Sequence, residues 1–308
     1  MEKKTVMNPC FSVVIPAFNA GSSVAECVRA IVAQPLPRNT FECIVVDDGS
    51  SDGTAEAAER AGALVVRLPK NQGRSAARNA GVQRAQGHWV AFTDADCVPS
   101  RRWLPALMAD AESSGRSTLA LAGQTIGLES KTAAARFMDL VGGLNAENYA
   151  NHGAFGWAPS CNLAYRRADL LTVGGFDCGF DNYETPEIHL RLVERFGGNI
   201  RLVPSAVVMH RHRATWKSFW RQQRGYGRGY AHFLIRHADR WPWSMQREVE
   251  AWAHLFPLAF RAVLGRGNQG LVQRGVFLKH FAQRVGFVPT FFSPWERQRI
   301  NGGKGRQQ

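Results

Sequence analysis

Short apolar runs alternate with amphipathic stretches over the first two-thirds of the chain, and several runs end in acidic or small polar residues. The run 11–17, closed by Pro16 and Ala17, predicts a buried strand. Ser23-Val24-Ala25-Glu26 has the spacing of a capping box and opens a helix reaching about residue 33. The run 41–46 predicts a second strand. It ends in Asp47-Asp48-Gly49-Ser50-Ser51-Asp52-Gly53, a loop feeding a helix from Thr54 to about residue 61. A third strand is expected over 63–68, a helix over 74–85 and a fourth strand over 89–96. Strands alternating with helices of this length predict a parallel α/β arrangement, with the acidic loops gathered along one edge of the sheet.

The pattern then loosens. A helix is expected over 101–113, a strand over 119–126 and a helix over 131–140. Residues 141–160, rich in glycine, asparagine and aromatics, show no period. The segment 161–165 is short and apolar, and Gly174-Gly175 marks a turn. Helical spacing returns over 188–196 and stops at Gly197-Gly198. A strand over 200–209 ends at His210. From Thr215 onward the chain reads as helical, basic and aromatic.

Composition sharpens that division. The 308 residues are 45% hydrophobic, enough for a sizeable core. Residues 1–210 hold 20 Lys+Arg and 21 Asp+Glu, whereas residues 211–308 hold 18 and 4. The expected organisation is a catalytic domain over 10–212, a basic helical extension over 213–300 and a disordered tail over 301–308. Met1-Glu2-Lys3-Lys4 leads almost directly into a strand, so no cleavable signal is expected. The apolar stretch 252–264, broken by His254, Pro257 and Arg261, is too short and polar for a membrane span. Six cysteines without C-x-x-C spacing look like small buried residues in a reducing compartment, so the expected location is cytoplasmic.

Asp94-Ala95-Asp96 carries the first candidate chemistry. It ends the fourth strand, where open α/β sheets place ligands. Carboxylates two apart in an extended segment point the same way, and two can share a hard divalent cation with diphosphate oxygens. An Asp-x-Asp tripeptide is also common in ordinary loops.

The stretches V-V-I-P-A-F-N (13–19), I-V-V-D-D-G-S-S-D-G-T (44–54), N-Q-G-R-S-A-A-R-N-A-G (71–81) and W-V-A-F-T-D-A-D (89–96), followed by C-N-L-A-Y-R-R (161–167) and V-G-G-F-D (173–177), resemble the family 2 glycosyltransferases in order and spacing. The resemblance covers roughly residues 10–230. It implies a GT-A fold, a Rossmann-like mixed sheet with a nucleotide-binding N-terminal half, followed here by the basic helical extension. It also implies an inverting sugar transfer of the hexosyltransferase class from a nucleotide-diphosphate sugar. The acceptor would be a glycan or lipid-linked molecule in cell-surface or extracellular polysaccharide synthesis.

By the same resemblance, Pro16, Ala17, Asn19, Asp47 and Asp48 would line the base and ribose pocket. A carboxylate there can accept from a uracil imide, which favours a UDP-sugar. Arg74 and Arg78, one helical turn apart, would face the nucleotide, with Ala95 among the donor contacts. Asp94, Asp96 and His210 would hold Mg2+ or Mn2+ against the diphosphate, Asp96 more directly than Asp94. Asn162 and Tyr165 would touch sugar or acceptor. Trp157 offers a stacking platform or a core ring, and Arg224 a contact to diphosphate or acceptor.

The expected base is missing from its place. Family members carry Glu-Asp at a helix start, with Arg-Leu following. Aligning Arg191-Leu192 puts Glu184 on the glutamate and Thr185 on the aspartate, and threonine is no base near neutral pH. Glu184 is therefore the expected proton acceptor, with Glu187 or Asp181 as substitutes. A nucleotide-sugar-binding relative with weak or no catalysis is the alternative that Thr185 leaves open. A nucleotidyltransferase, which shares sheet and metal use, is another.

The basic tail lacks the Q-x-x-R-W of processive relatives, reading R-Q-Q-R-G-Y-G-R-G instead (221–229), so a non-processive enzyme is expected. No nucleic-acid reader module is present, and nucleic acid is not an expected partner. Basic helices with interleaved aromatics fit an anionic membrane surface, peripheral on the inner face, as well as a helical subdomain with a solvated basic side.

Overall fold

The computed structural model describes residues 10–37, 39–151 and 156–302. The chain divides into two compact units. Unit 1 holds residues up to Leu128, Leu144–Cys178 and Thr185–Arg211. Unit 2 holds Glu129–Gly143, Gly179–Glu184 and everything from His212. A single cut after residue 212 thus misses two internal stretches that belong with the C-terminal helices. Of the tail expected to be disordered, residues 301 and 302 close the helix Pro294–Gly302, and 303–308 lie outside the described residues.

Unit 1 is built on one eight-stranded sheet. Its strands are β1 (Phe11–Ala17), β2 (Phe41–Asp47), β3 (Leu64–Arg67), β4 (Trp89–Phe92), β5 (Cys97–Pro99), β6 (Thr118–Gly127), β7 (Leu163–Arg166) and β8 (Asn199–His210). Their order is β3-β2-β1-β4-β7-β6-β8-β5. The first four run parallel, as the alternating pattern requires, while β7 is antiparallel to both β4 and β6. The sheet is therefore mixed.

Alternation along each strand feeds two cores, one per face. Phe11, Val13 and Ile15 of β1 pack with Cys27, Val28 and Ile31 of helix Val24–Val32 and with Trp103, Leu104 and Leu107 of helix Trp103–Glu112. Val14 points the other way, to Ala77 and Val82 of helix Arg74–Arg84 and to Ile188 and Leu192 of helix Glu184–Phe196. Gly81 sits directly over Val14, where a Cβ would collide with the valine side chain. That close approach brings helix Arg74–Arg84 down onto the sheet.

One irregularity shapes the unit. The β6–β8 pairing jumps between Gly123, opposite Val203, and Gln124, opposite Val207. Such a bulge strands backbone carbonyls that the ladder would otherwise satisfy. Asn162 fills the gap. Its Nδ2 donates to Gln124 O and to Ala206 O, both at 2.8 Å, and its Oδ1 accepts from Trp103 Nε1 at 2.8 Å. Gly123 has no room for a Cβ against Ala206 O and the Asn162 amide. Asn162→Ala leaves two carbonyls and an indole N–H buried without partners, so a loss of about 3 kcal/mol is expected in urea unfolding.

In unit 2 the long helices Trp216–Arg236 and Gly267–Phe291 pack against each other. Glycines set the spacing. A Cβ at Gly227 would strike Gln283 O, and one at Gly286 would strike Arg224 O. Gly225 and Gly229, on another side of the first helix, receive Asn182. Helix Ala133–Leu140 joins through Phe137, whose ring meets Phe219 edge-on at 5.6 Å and covers Gly275. The R-G-Y-G-R-G run is thus a packing device that lets three backbones come close.

Candidate functional site

The C-terminal ends of the neighbouring parallel strands β2, β1 and β4 lie along one edge of the sheet. After β1, Asn19 adopts a left-handed backbone (φ 48°) that few side chains tolerate. Its Oδ1 accepts from Ser51 N at 3.0 Å, and its own N–H donates to Ser50 Oγ at 2.9 Å. The loops after β1 and β2 are therefore tied to each other. Asp47 accepts from Ser50 N at 3.0 Å. Asp48 accepts from Gln72 N (2.8 Å) and Gly73 N (2.9 Å), which anchors the start of helix Arg74–Arg84. Gly49 makes this approach possible, since a Cβ there would lie 2.6 Å from Lys70 C. Asp47 and Asp48 are both buried.

The Asp94-Ala95-Asp96 stretch is not extended. β4 stops at Phe92, and Cys97 N donates to Asp94 O at 3.0 Å, closing a turn before β5. The expected two-residue alternation fails at that turn, and the carboxylates take different partners. Asp94 Oδ1 lies 3.5 Å from Arg78 Nη2, which also donates to Ser160 Oγ at 2.7 Å. Arg78 is almost fully buried, with its guanidinium over the Phe176 ring. Asp96 Oδ1 lies 3.5 Å from His210 Nε2. β5 pairs with β8 so that Cys97 faces His210, and Arg211 N donates to Asp96 O at 3.1 Å. Both carboxylates keep roughly a third of their side-chain surface open, 34% for Asp94 and 29% for Asp96.

Asp96, Cys97 and His210 offer ligand atoms within 4.8 Å of one another. Burial above all, then the Cys161 thiol and the two aspartates, pushes the Cys97 thiol well above its usual range. A hard divalent cation takes oxygen and imidazole ligands in preference to a soft thiol, which singles out Asp96 and His210. Neighbouring ligands of an octahedral ion at about 2.1 Å stand about 3 Å apart, so the Asp96–His210 pair fits a hard divalent cation with little adjustment. Asp94 lies outside this trio and is held by Arg78.

Several expected contacts lie elsewhere. Asn162 is spent on the bulge. Tyr165 is fully buried, its hydroxyl 3.2 Å from His189 Nδ1, and offers no surface to an acceptor. Glu187 is buried in a two-pronged pair with Arg191, Nε to Oε1 at 2.8 Å and Nη2 to Oε2 at 2.7 Å. Arg191 also donates to Val173 O and Gly175 O, so the pair fastens the helix to the Gly-Gly turn. Both carboxylate oxygens of Glu187 are thus committed to Arg191. Glu184, also buried, begins helix Glu184–Phe196 and falls in unit 2. Arg224 is an exposed residue of unit 2. Trp157 is half-buried against the Tyr149 ring at 4.4 Å, and Arg74 is exposed.

Sequence reasoning missed Ser160, which holds Arg78 from 82 positions away, and Cys97, which follows Asp96 and pairs with His210. It also missed Asn79, whose amide clamps Phe176 N and O at 2.8 Å each and sits against Gly175 in the turn.

His189 makes a pH prediction. Burial pulls its pKa from 6.5 down to about 4. Between these values the unfolded chain binds the proton more readily, so the stabilisation is complete above pH 6.5 and is lost as pH falls through 4. The expected loss by pH 4 is about 3 kcal/mol. Thermal melts across that window should show it, with a flatter profile for His189→Gln.

Known structures share this fold. A mannosyltransferase from Pyrobaculum calidifontis, in complex with GDP-Man and Mn2+, superposes with a TM-score of 0.57 at 19% identity, covering 98% of this chain and 87% of its own. Residues 1–349 of S. aureus TarS, in complex with UDP-GlcNAc, give 0.54 at 17% identity, covering 95% and 92%. The fold is GT-A. The pre-mycofactocin glycosyltransferase of Mycobacterium tuberculosis is 30% identical over 239 residues, 74% of this chain and 48% of that protein. The chain spans about half the length of this relative. Two further curated relatives are matched over 33% and 57% of their lengths. Residues 12–169 match the family model described as Glycosyl transferase family 2. That match takes in just over half of the sequence, and the chain belongs to this family.

Proposed function

We propose that this chain transfers a sugar from a nucleotide-diphosphate sugar to a glycan or lipid-linked acceptor, with inversion, in polysaccharide or glycan synthesis. The reading rests on the Asp96–His210 pair beside the Asp94–Arg78 pair, at the edge where such sheets bind nucleotides. Asp96 and His210 would hold Mg2+ or Mn2+, as the Mn2+ of the mannosyltransferase complex supports. The cation would supply charge neutralisation to the departing diphosphate.

The chain's own groups do the rest. Asp47 and Asp48 shape the nucleotide pocket with Pro16, Ala17 and Asn19, and Arg78 orients Asp94 toward the donor. Glu184 takes the proton of the acceptor hydroxyl as its oxygen bonds to the anomeric carbon and the bond to the diphosphate oxygen breaks. The fixed Glu187–Arg191 pair favours Glu184 over Glu187 for this step. The place of action is the cytoplasmic face of a membrane, and six free thiols fit a reducing compartment.

The two structural relatives carry donors with different bases, so the donor screen must include both UDP- and GDP-sugars. Calorimetry of the full chain with each, with and without Mn2+, should find a donor whose binding needs the metal. The matching nucleoside diphosphate should then be released when acceptor is supplied. Binding without release would favour the non-catalytic alternative that Thr185 leaves open. Failure of every donor to bind with Mn2+ present would overturn the proposal.

A further inference from the structure

Unit 2 carries an apolar surface that donor chemistry does not use. Helices Met245–Ala253 and Leu255–Leu264 are separated only by His254, itself in a right-handed helical conformation (φ −60°, ψ −23°). The helical phase therefore carries through both. Met245 (61% exposed), Val249 (59%), Trp252 (36%), Phe256 (79%), Phe260 (67%) and Val263 (82%) follow at steps of four, three, four, four and three residues. These steps average the helical repeat, so the six side chains fall on one face over a helical rise of about 27 Å. Leu264, 62% exposed, widens its end.

The stripe is not the inner face of the pair. Leu255, Leu258 and Ala262 lie on a different side and are buried, and the second helix packs there on helix Gly267–Phe291. Helix Leu255–Leu264 is thus apolar on two sides, and its single charged residue is the exposed Arg261. An exposed apolar surface of this size marks an interaction site. No helix among the described residues is long and apolar enough to cross a membrane.

Charge selects the occupant. Between Glu250 and Glu296 the sequence has no acidic residue, while Arg261, Arg266, Arg274, Lys279 and Arg284 fall in that interval. Of these, Arg261, Arg266 and Arg274 are exposed. Glu248 is neutralised by Arg284 at 2.9 Å. A second copy of the chain would bring two such basic regions together and be repelled. A negatively charged lipid surface attracts the basic residues and takes up the rings.

We propose that the stripe Met245–Val263 is a membrane-docking surface, lying in the plane of an anionic leaflet with Phe256 and Phe260 as its deepest anchors. This goes beyond the donor chemistry proposed above and does not depend on it, because vesicle binding is read without nucleotide or metal.

The test is flotation of the full chain with vesicles of phosphatidylcholine alone or with about a quarter phosphatidylglycerol. The wild type should float strongly only with the anionic vesicles. Phe256→Ser with Phe260→Ser should reduce flotation at least tenfold at an unchanged melting temperature. Phe256→Ser alone, at the more exposed ring, should weaken it with the least disturbance to packing. Light scattering on the same samples reports self-association. A wild-type chain that stays in the dense fraction, as a monomer or as a dimer split by the variants, overturns the proposal. Equal flotation of wild type and variants, or equal flotation on both vesicle types, overturns it as well.

Discussion

Replacing Asp96 with alanine is expected to abolish Mn2+-dependent donor binding and to lower sugar transfer by at least 100-fold, since losing one charge-stabilising group at a reacting centre costs on the order of 3 kcal/mol. The change should leave folding nearly intact, because the carboxylate is part-exposed and the bond from Arg211 N to the Asp96 backbone oxygen survives the substitution. Asp94→Ala should behave differently. It removes the partner that shares buried Arg78 with Ser160, so weaker donor binding should come with lost stability. Calorimetry with and without Mn2+, beside thermal melts of both variants, separates the two roles. If Asp96→Ala binds donor as well as wild type with Mn2+ present, the metal assignment is wrong.

The second large effect is expected at Glu184. Glu184→Gln keeps size and hydrogen-bonding capacity but removes the proton acceptor, so turnover should fall by about 100- to 10,000-fold with donor affinity retained. Glu187→Gln should do the reverse. It weakens a buried charge pair that also fastens the Gly-Gly turn, so a stability loss of about 3 kcal/mol is expected, with turnover per folded molecule little changed. Initial rates over a donor series, corrected for folded fraction by circular dichroism, distinguish the outcomes. Full turnover in Glu184→Gln would mean that another group takes the proton.

The parallel half of the sheet was legible because its strands are continuous apolar runs that end in acidic loops. Val13-Val14-Ile15 and Ile44-Val45-Val46 leave little choice of structure. The side-chain partners were not legible, because they depend on pairings between distant segments. Nothing local separates Asp94 from Asp96, yet a turn at Ala95 and the β5–β8 register send one to Arg78 and the other to His210. Asn162 and Tyr165 sit in a motif-bearing segment, and motif position alone does not distinguish a ligand contact from a plug in a bulge or a buried hydroxyl. Glu187 differs. Its spacing to Arg191 on one helix points to an ion pair, and that is the partner it takes.

The three alternate glycines of helix Trp216–Arg236 bear on how the chain is made. Each costs about 1 kcal/mol of helical preference relative to alanine, so this segment is a poor helix by itself. What compensates is backbone contact with residue 182 on one side and with helix Gly267–Phe291 on the other. The second support is synthesised some thirty residues after the first helix ends. On the ribosome the middle of unit 2 must therefore wait, unsettled, until helix Gly267–Phe291 has emerged. A chain halted before residue 267 would hold the whole text of that helix and lack the means to keep it wound.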